Sequence, residues 1–448
     1  MARKDKMIRV ITYGTFDMLH HGHIRLLERA KALGDYLVVG VTSDDFDKSR
    51  GKINVKQSLI ERIEAVKSTG IADEIIVEEY EGQKIEDIRN FKINIFTVGS
   101  DWKGKFDYLS SYCKVVYLER TSGISSSEIR SASRTVKMGL VGDALFLDKV
   151  MAESKYVNGI DIVGVCSNNI GMLCKDLQNV DIKTNDFDQL ITEVDALYIR
   201  SIPQKHYSQI KKAIEMGKHV LCESPLSLSY ENSDELLRLA KARKIVLMEG
   251  IKTAYATAYN RMLLLVKEGK IGRVVSLDAT CTSLIKLQEK VTDWSGLYEW
   301  GPTALLPVFQ ILGTDYRDTR IITKVYDDNP SADAYTRVDL LYDHAFAEIK
   351  VGDGVKSEGE LVISGTNGYI YVPAPWWKTE YFEIRFEDQN LNRRYFYTLD
   401  GEGIRYELVT FVRAIEEENV RLNIDNEVTC KISEIMSDYE NKKNMTLI

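Results

Sequence analysis

The chain has 448 residues, 44% hydrophobic and 28% charged, ordinary proportions for a globular protein with room for about three domain-sized cores. Residues 1–130 hold 21 Lys and Arg against 20 Asp and Glu and the remainder 38 against 47, so neither part offers the broad basic field of a nucleic-acid binder. No run of roughly 18 apolar residues supports a membrane span, no apolar leader precedes the first strand, and Cys113, Cys166, Cys174, Cys222, Cys281 and Cys430 lack CxxC spacing, which reads as reduced cytoplasmic thiols rather than a zinc site.

Strand-like and helix-like segments alternate from the start. Val10–Tyr13 precedes a helix around 22–33, Tyr36–Val41 one over 56–68 and Glu74–Val77 one over 84–91, and Ile95–Val98 and Val115–Leu118 close the series. That rhythm predicts a parallel, doubly wound, Rossmann-like sheet. A polar stretch over 131–135 marks a boundary, and the rhythm restarts with Met138–Val141, Ile160–Val165, Ala196–Ile199, Val220–Cys222 and Ile245–Met248. Beyond a helical pattern over 255–268 the character changes. Val274–Cys281, Arg337–Leu341, Ala345–Val351, Glu360–Ser364, Tyr369–Val372, Tyr381–Phe386 and Arg394–Leu399 follow with few helices between, the signature of an antiparallel sheet. Helical patterns over 405–417 and 427–440 end the chain. The expected class is α/β: a first domain over 1–132, a second Rossmann-like domain over 136–254, and an antiparallel-sheet α+β domain over 255–448.

Three of the six histidines fall within YGTFDMLHHGH, residues 13–23, between the first strand and the first helix. In open α/β sheets ligands bind off the carboxyl ends of the strands, where helix N-termini supply N–H donors. Gly14 allows a sharp turn, and Gly22 lets a phosphate approach the backbone. His20 and His23, three apart, project from one side of the first turn and suit a developing phosphoryl charge. Ser125-Ser126-Ser127-Glu128 reads as a capping box opening a second helix.

These stretches resemble the cytidylyltransferases, most closely the bacterial glycerol-3-phosphate cytidylyltransferases, across residues 8–130. GTFDMLHHGH is similar to their GTFDxxHxGH signature, and Val98-Gly99-Ser100-Asp101-Trp102 and Arg120-Thr121-Ser122-Gly123-Ile124-Ser125 agree as well. The resemblance implies transfer of a cytidylyl group from CTP, with Mg²⁺, to a polyol phosphate. It makes His20, His23 and Arg120 the catalytic candidates. Gly14, Thr15, Phe16, Gly22, Asp101, Trp102, Thr121, Ile124, Ser125 and Ser126 become CTP contacts, and Arg62 and Lys52 contacts of the phosphate substrate. Lys48 and Lys52 lie where the correspondence is loose, and a solvated loop lysine is the alternative for either.

From residue 136 onward the chain resembles the glucose-fructose oxidoreductase/inositol dehydrogenase family, on Ile202-Pro203 with His206, Val220-Leu221-Cys222-Glu223-Ser224-Pro225, Glu299-Trp300-Gly301-Pro302-Thr303 and Gly365-Thr366-Asn367-Gly368. That implies an NAD(P)(H) site at Gly142, Ala144, Ser167, Glu223 and Pro225. Several family positions have changed. Ser224 replaces a lysine, Thr303 a catalytic histidine, and Ala144 and Leu147 two glycines; Asp143 stands where a pyrophosphate should approach, and the strand ending at Ser167-Asn168 brings no carboxylate for a ribose. Two readings stand: a reductase in which Lys252, Tyr255 or Tyr259 substitutes as proton donor alongside Thr303, or a non-catalytic partner domain. Aromatic residues of the third domain, including Tyr369, Tyr371, Trp376 and Trp377, predict a homodimer or higher oligomer through the sheet face left open.

Overall fold

The computed structural model describes residues 7–49, 55, 57, 59–80, 82–119, 135–143, 145–284, 296–327, 329, 332–397, 399–416 and 422–448. The chain forms two compact units, Met1–Arg134 and Thr135–Ile448.

The first unit is a parallel sheet of β1 (Arg9–Gly14), β2 (Tyr36–Thr42), β3 (Glu74–Glu78), β4 (Ile95–Gly99) and β5 (Lys114–Leu118), in the order β3-β2-β1-β4-β5. The helices His21–Lys31, Leu59–Ser68 and Gln83–Asn90 form where the apolar spacing put them; the short helix Asp44–Ser49 is additional. Alternation along β1 sets the packing. Val10 joins Leu27, Val39 and Val66 on one side, while Ile11 and Tyr13 join Ile88, Phe96 and Val98 on the other. Both sides are buried, as near-continuous apolar strands require. Strand order reverses between β1 and β4, so Gly14 and Gly99 flank the crevice where ligands bind in such sheets.

The second unit opens with β6 (Val136–Val141), β7 (Ile160–Cys166), β8 (Ile182–Thr184), β9 (Ala196–Ile199), β10 (His219–Glu223) and β11 (Leu247–Gly250), all parallel, in the order β11-β10-β9-β6-β7-β8. Its reversal lies between β6 and β9. Strand β8, three residues long, is too short to show a pattern in the sequence.

A nine-stranded sheet follows: β12 (Val274–Thr282), β13 (Asp318–Val325), β14 (Asp333–Leu341), β15 (Phe346–Gly352), β16 (Leu361–Gly365), β17 (Tyr369–Val372), β18 (Tyr381–Arg385), β19 (Arg393–Phe396) and β20 (Met445–Leu447), in the order β19-β18-β17-β16-β12-β15-β14-β13-β20. The expected antiparallel sheet is in fact mixed, because β12 pairs parallel with β15 and β13 with β20. The chain leaves β12 for the helix Gly296–Leu312, which packs on β12, β14 and β15, and returns through the β13–β14 hairpin. A crossover of that kind brings the next strand back in the same direction. Pro302 and Pro307 lie inside the helix, which hides it from a reading that treats proline as a breaker.

Along β14 and β15 the buried Val338, Leu340, Ile349 and Val351 alternate with Arg337, Asp339, Glu348 and Lys350. Arg337 pairs with Asp339 and with Glu348, each at 2.7 Å. On these two strands the side away from the core is thus a lattice of charges; on β17 the same face carries Tyr369 and Tyr371, while Trp376 and Trp377 are buried.

Candidate functional site

In the first unit the chain turns after Gly14 through two residues of left-handed backbone, Phe16 (φ 54°) and Met18 (φ 48°). Each costs about 1–2 kcal/mol for a residue other than glycine, and such strain persists where contacts over-determine it. Gln57 does this, accepting the Met18 N–H at 2.7 Å and donating its own N–H to the buried Asp17 at 3.0 Å. The Thr15 hydroxyl donates to Asp47 at 2.8 Å.

The turn delivers His20 to the N-cap of the helix His21–Lys31. Its Nδ1 accepts the N–H of Gly22 at 3.1 Å and of His23 at 3.4 Å. In the neutral ring the proton therefore sits on Nε2, which makes that nitrogen a donor. The His20 and His23 rings stack with centroids 3.8 Å apart and 17° between planes, and Phe16 meets His23 edge-on at 5.6 Å. The expected convergence of two imidazoles is present. The third, His21, is exposed and accepts from Arg25 at 3.0 Å. Off the end of β4, Ser100–Trp102 form one turn with Asp101 exposed, and the Lys105 ammonium lies 5.0 Å from the Trp102 ring.

Arg62 was expected against the phosphate substrate, and the structure gives it different neighbours. Its side chain is fully buried. Nη1 donates to the carbonyls of Thr15 at 2.7 Å and Thr42 at 2.8 Å and faces Asp47 at 3.4 Å; Nε donates to the Gln57 carbonyl at 3.1 Å; Nη2 pairs with Asp44. Every guanidinium nitrogen is engaged in holding the loops after β1 and β2. Nothing in the sequence marked Gln57, Asp44 or Asp47 as its partners. Lys52, Arg120, Thr121, Ile124, Ser125 and Ser126 lie outside the described residues, as does Ala144 of the second unit.

In the second unit Gly142 follows β6 with φ 140°, and a Cβ there would meet the Arg200 carbonyl oxygen at 2.3 Å, so the position demands glycine. The helix Phe146–Ser154 opens without a side-chain cap, and Leu147 is fully buried in it. Asp143 accepts from the Ser167 hydroxyl at 2.8 Å and from the Asn168 N–H at 2.6 Å. Burial opposes its charge, but the bonds from Asn168 and Ser167 outweigh that and hold its carboxyl below the usual range.

A cavity of about 480 Å³ opens between the ends of β10 and β11 and the mixed sheet; Glu223, Lys252, Glu299, Trp300 and Thr303 are among its walls. Pro225 is not. Its carbonyl instead meets the fully buried His206, which sits 2.8 Å from that oxygen and 2.8 Å from the Ser201 carbonyl; burial lowers this imidazole to about 4. Glu223 accepts from the Tyr198 hydroxyl, and burial pushes its carboxyl up against the pull of Arg200. Behind Gly250, Glu407 is fully buried with no hydrogen-bond partner for either oxygen among the described residues. Burial first, and Glu223 second, push its carboxyl well above the usual range. Ser224 gives its hydroxyl to Glu249. Neither Tyr255 nor Tyr259 reaches the cavity; Tyr259 donates to Gln310 at 2.8 Å. The Arg200–Glu299 pair, at 2.7 Å, and Glu402, which gathers Lys149, Lys252 and Lys378, were not anticipated. They come from segments far apart in sequence.

Residues 11–132 match the Cytidylyltransferase-like family, and residues 136–251 match the Oxidoreductase family, NAD-binding Rossmann fold. The glycerol-3-phosphate cytidylyltransferase of Bacillus spizizenii is 48% identical over 129 residues, which span 28% of this chain and 95% of that protein. The Staphylococcus aureus protein of the same name is 44% identical over 124 residues, 28% of this chain and 93% of its own length. Among solved structures, a 3-ketoreductase from Actinomadura kijaniata in complex with NADP and TDP-benzene aligns with a TM-score of 0.62 at 15% identity, covering 70% of this chain and 100% of its own. A UDP-N-acetylglucosamine 3-dehydrogenase from Acidithiobacillus ferrooxidans aligns with a TM-score of 0.58 at 16% identity, over 69% and 98%. At that identity the likeness is one of fold. Near-complete coverage of relatives 44–48% identical, together with the paired histidines at the reversal of the first sheet, places the chain in the cytidylyltransferase family, with an oxidoreductase-family Rossmann domain following in the same polypeptide.

Proposed function

We propose that the first unit transfers a cytidylyl group from CTP, taken as its Mg²⁺ complex, to a polyol phosphate of the glycerol phosphate class. An oxygen of the acceptor phosphate bonds to the α-phosphorus, the bond to the bridging oxygen breaks, and its electron pair leaves with pyrophosphate. The observation that carries this is the stacked His20–His23 pair at the carboxyl end of β1. A phosphate monoester has its second pKa near 6, so the attacking oxygen is already anionic and the protein's task is alignment and charge stabilisation. The His20 Nε2–H and His23 answer the charge that develops on the transferring phosphoryl. Arg120 with Thr121, Ile124, Ser125 and Ser126 would grip further phosphate oxygens, and Asp101 and Trp102 the nucleoside end. Gly14, Thr15, Phe16 and Gly22 leave room at the backbone. Lys52 remains the candidate at the acceptor, whereas Arg62 acts indirectly, by holding Thr15 and Asp47. Masses of the products from CTP or ATP with a panel of polyol phosphates test this. A CDP-polyol formed with CTP and little product from ATP is expected, and equal use of both nucleotides overturns it.

For the second unit we infer a reductase that supplies the polyol, its parts being the domains over 136–254 and 255–448 that follow the transferase domain over 1–132. A nicotinamide dinucleotide fits the residues present. Gly142 permits close backbone approach, the helix at Phe146 opens uncapped, and the Asp143 carboxylate is drawn aside to Ser167 and Asn168. When bound, it supplies the hydride that, with one proton, turns a ketone into an alcohol. Lys252, on the cavity wall, is the proton-donor candidate, and Thr303 lines the same cavity. A second reading is favoured by one observation: Ser224, standing for the family's lysine, has its hydroxyl committed to Glu249. On it the unit is a partner domain that joins transferases into a dimer, and light scattering should then give a dimeric mass. Fluorescence titration with NADH and NADPH separates the two, since no binding at millimolar cofactor removes the reductase.

A further inference from the structure

We propose that the cavity of the second unit is built to hold the phosphate of a small ketose phosphate on Lys149, Lys356 and Lys378, so that reduction acts on the phosphorylated sugar before cytidylyl transfer. This rests on the reductase reading and names its substrate.

The organising residue is Glu402. It has left-handed backbone, φ 53°, between Gly401 at 57° and Gly403 at 92°, a run that side chains other than glycine avoid. The left-handed φ favours glycine at both flanking positions, and a Cβ at Gly403 would meet the Lys252 carbonyl oxygen at 3.0 Å. The turn carries the Glu402 carboxylate to Lys378 at 2.6 Å and to Lys149 and Lys252 at 3.1 Å each. Burial opposes its charge, but the three ammoniums outweigh it and bring the carboxyl down to about 2.

Three lysines around one carboxylate leave two positive charges that Glu402 itself does not match; of the other acids on the cavity wall, Glu299 is paired with Arg200 and burial pushes the Glu223 carboxyl up. Lys356 also lines the cavity, makes no ion pair among the described residues and adds a further positive charge. The fold gains little from gathering them: Lys149 and Lys378 side chains are 53% and 37% exposed, and exposed ion pairs contribute little stability. Their mutual repulsion is relieved by an anion. A phosphate monoester carries close to two negative charges at neutral pH and presents three acceptor oxygens, which matches the excess left by Glu402.

The rest of the cavity suits the other end of such a molecule. Trp300 and Trp377, 5.0 Å apart, form an apolar wall for a short carbon chain, and Lys252 with Thr303 offers donors to a carbonyl oxygen. A phosphate kept through reduction is the group the first unit then joins to CMP, so the product of one site is the acceptor of the other without a kinase between them.

The test is calorimetric titration of the full chain, without cofactor, with D-ribulose 5-phosphate, D-ribulose and CDP-glycerol, on the native protein and on Lys378→Met and Lys356→Met. The ketose phosphate should bind at least about tenfold more tightly than the free ketose, and each substitution should remove about tenfold of that, the scale of one charge-assisted hydrogen bond. Equal binding of the two sugars, or no effect of either substitution in protein of unchanged melting temperature, overturns the proposal. So does a loss confined to CDP-glycerol, which would assign the lysines to a nucleotide-linked substrate. NADH titration of the same proteins keeps the two ideas apart. Cofactor binding with a failed phosphate arm leaves the reductase standing without this site, and the reverse result leaves the phosphate site standing without the reductase.

Discussion

The carboxylate of Asp143, in the loop after β6, accepts both the backbone N–H of Asn168 at 2.6 Å and its side-chain amide at 3.0 Å, at the carboxyl end of β7. In dinucleotide-binding sheets that strand end carries the acid that holds an NAD ribose or the arginine that takes the 2′-phosphate of NADP. Strand β7 brings no acid of its own, yet a carboxylate stands there, supplied by the neighbouring loop. It is held ionised, so it would repel a 2′-phosphate. On the reductase reading NADH should bind about tenfold more tightly than NADPH, a difference of roughly 1.4 kcal/mol, and Asp143→Asn should narrow the gap. A native preference for NADPH in fluorescence titration would refute this.

His20 does two jobs that substitution can separate. His20→Ala removes the helix cap, at about 1 kcal/mol, and should also lower cytidylyl transfer by about 10²–10³-fold, the scale for one lost transition-state donor. His20→Asn keeps a good capping side chain, so its melting temperature should stay near native while turnover falls as far. His23→Ala should lose a similar factor. Normal turnover in folded protein for all three would remove the histidines from the mechanism.

Arg62 is predicted to act through structure. Arg62→Met removes the buried guanidinium that faces Asp47, whose side chain is 1% exposed, at 3.4 Å. The cost should be about 3–5 kcal/mol in urea unfolding of the first unit. Adding Asp47→Asn should recover part of it, and unchanged stability with a raised KM would return Arg62 to the substrate.

Glu407 predicts a pH effect of definite sign. The folded chain keeps its proton well above the usual carboxylate range, because burial and the nearby Glu223 penalise the anion. The unfolded chain releases that proton at an ordinary carboxylate pH. This group therefore makes stability fall as pH rises above the unfolded value. Glu407→Gln should flatten the decline above that pH, by up to about 1.4 kcal/mol per pH unit. Parallel pH profiles of the two proteins would show the carboxyl to be ionised in the fold.

Much of the architecture was legible because it is local. Alternation such as Val10-Ile11-Thr12-Tyr13 fits a strand buried on both faces, and the β–α rhythm then leaves parallel sheets as the solution. The His20–His23 spacing placed two rings on one side of a helix start by helix geometry alone. What failed was non-local or hidden by a breaker. The parallel pairing of β12 with β15 follows from a crossover through a helix whose Pro302 and Pro307 disguised it.

The sequence by itself determined the two α/β units and the histidine turn, since each is written in neighbouring residues. Only the tertiary structure decided that Arg62 faces Asp44 and Asp47, that Asp143 reaches the end of β7, and that Glu402 gathers Lys149, Lys252 and Lys378. Charge partners are chosen by distance in space. For Glu402 those partners lie 253, 150 and 24 residues away along the chain, a separation that no pattern of apolar spacing encodes.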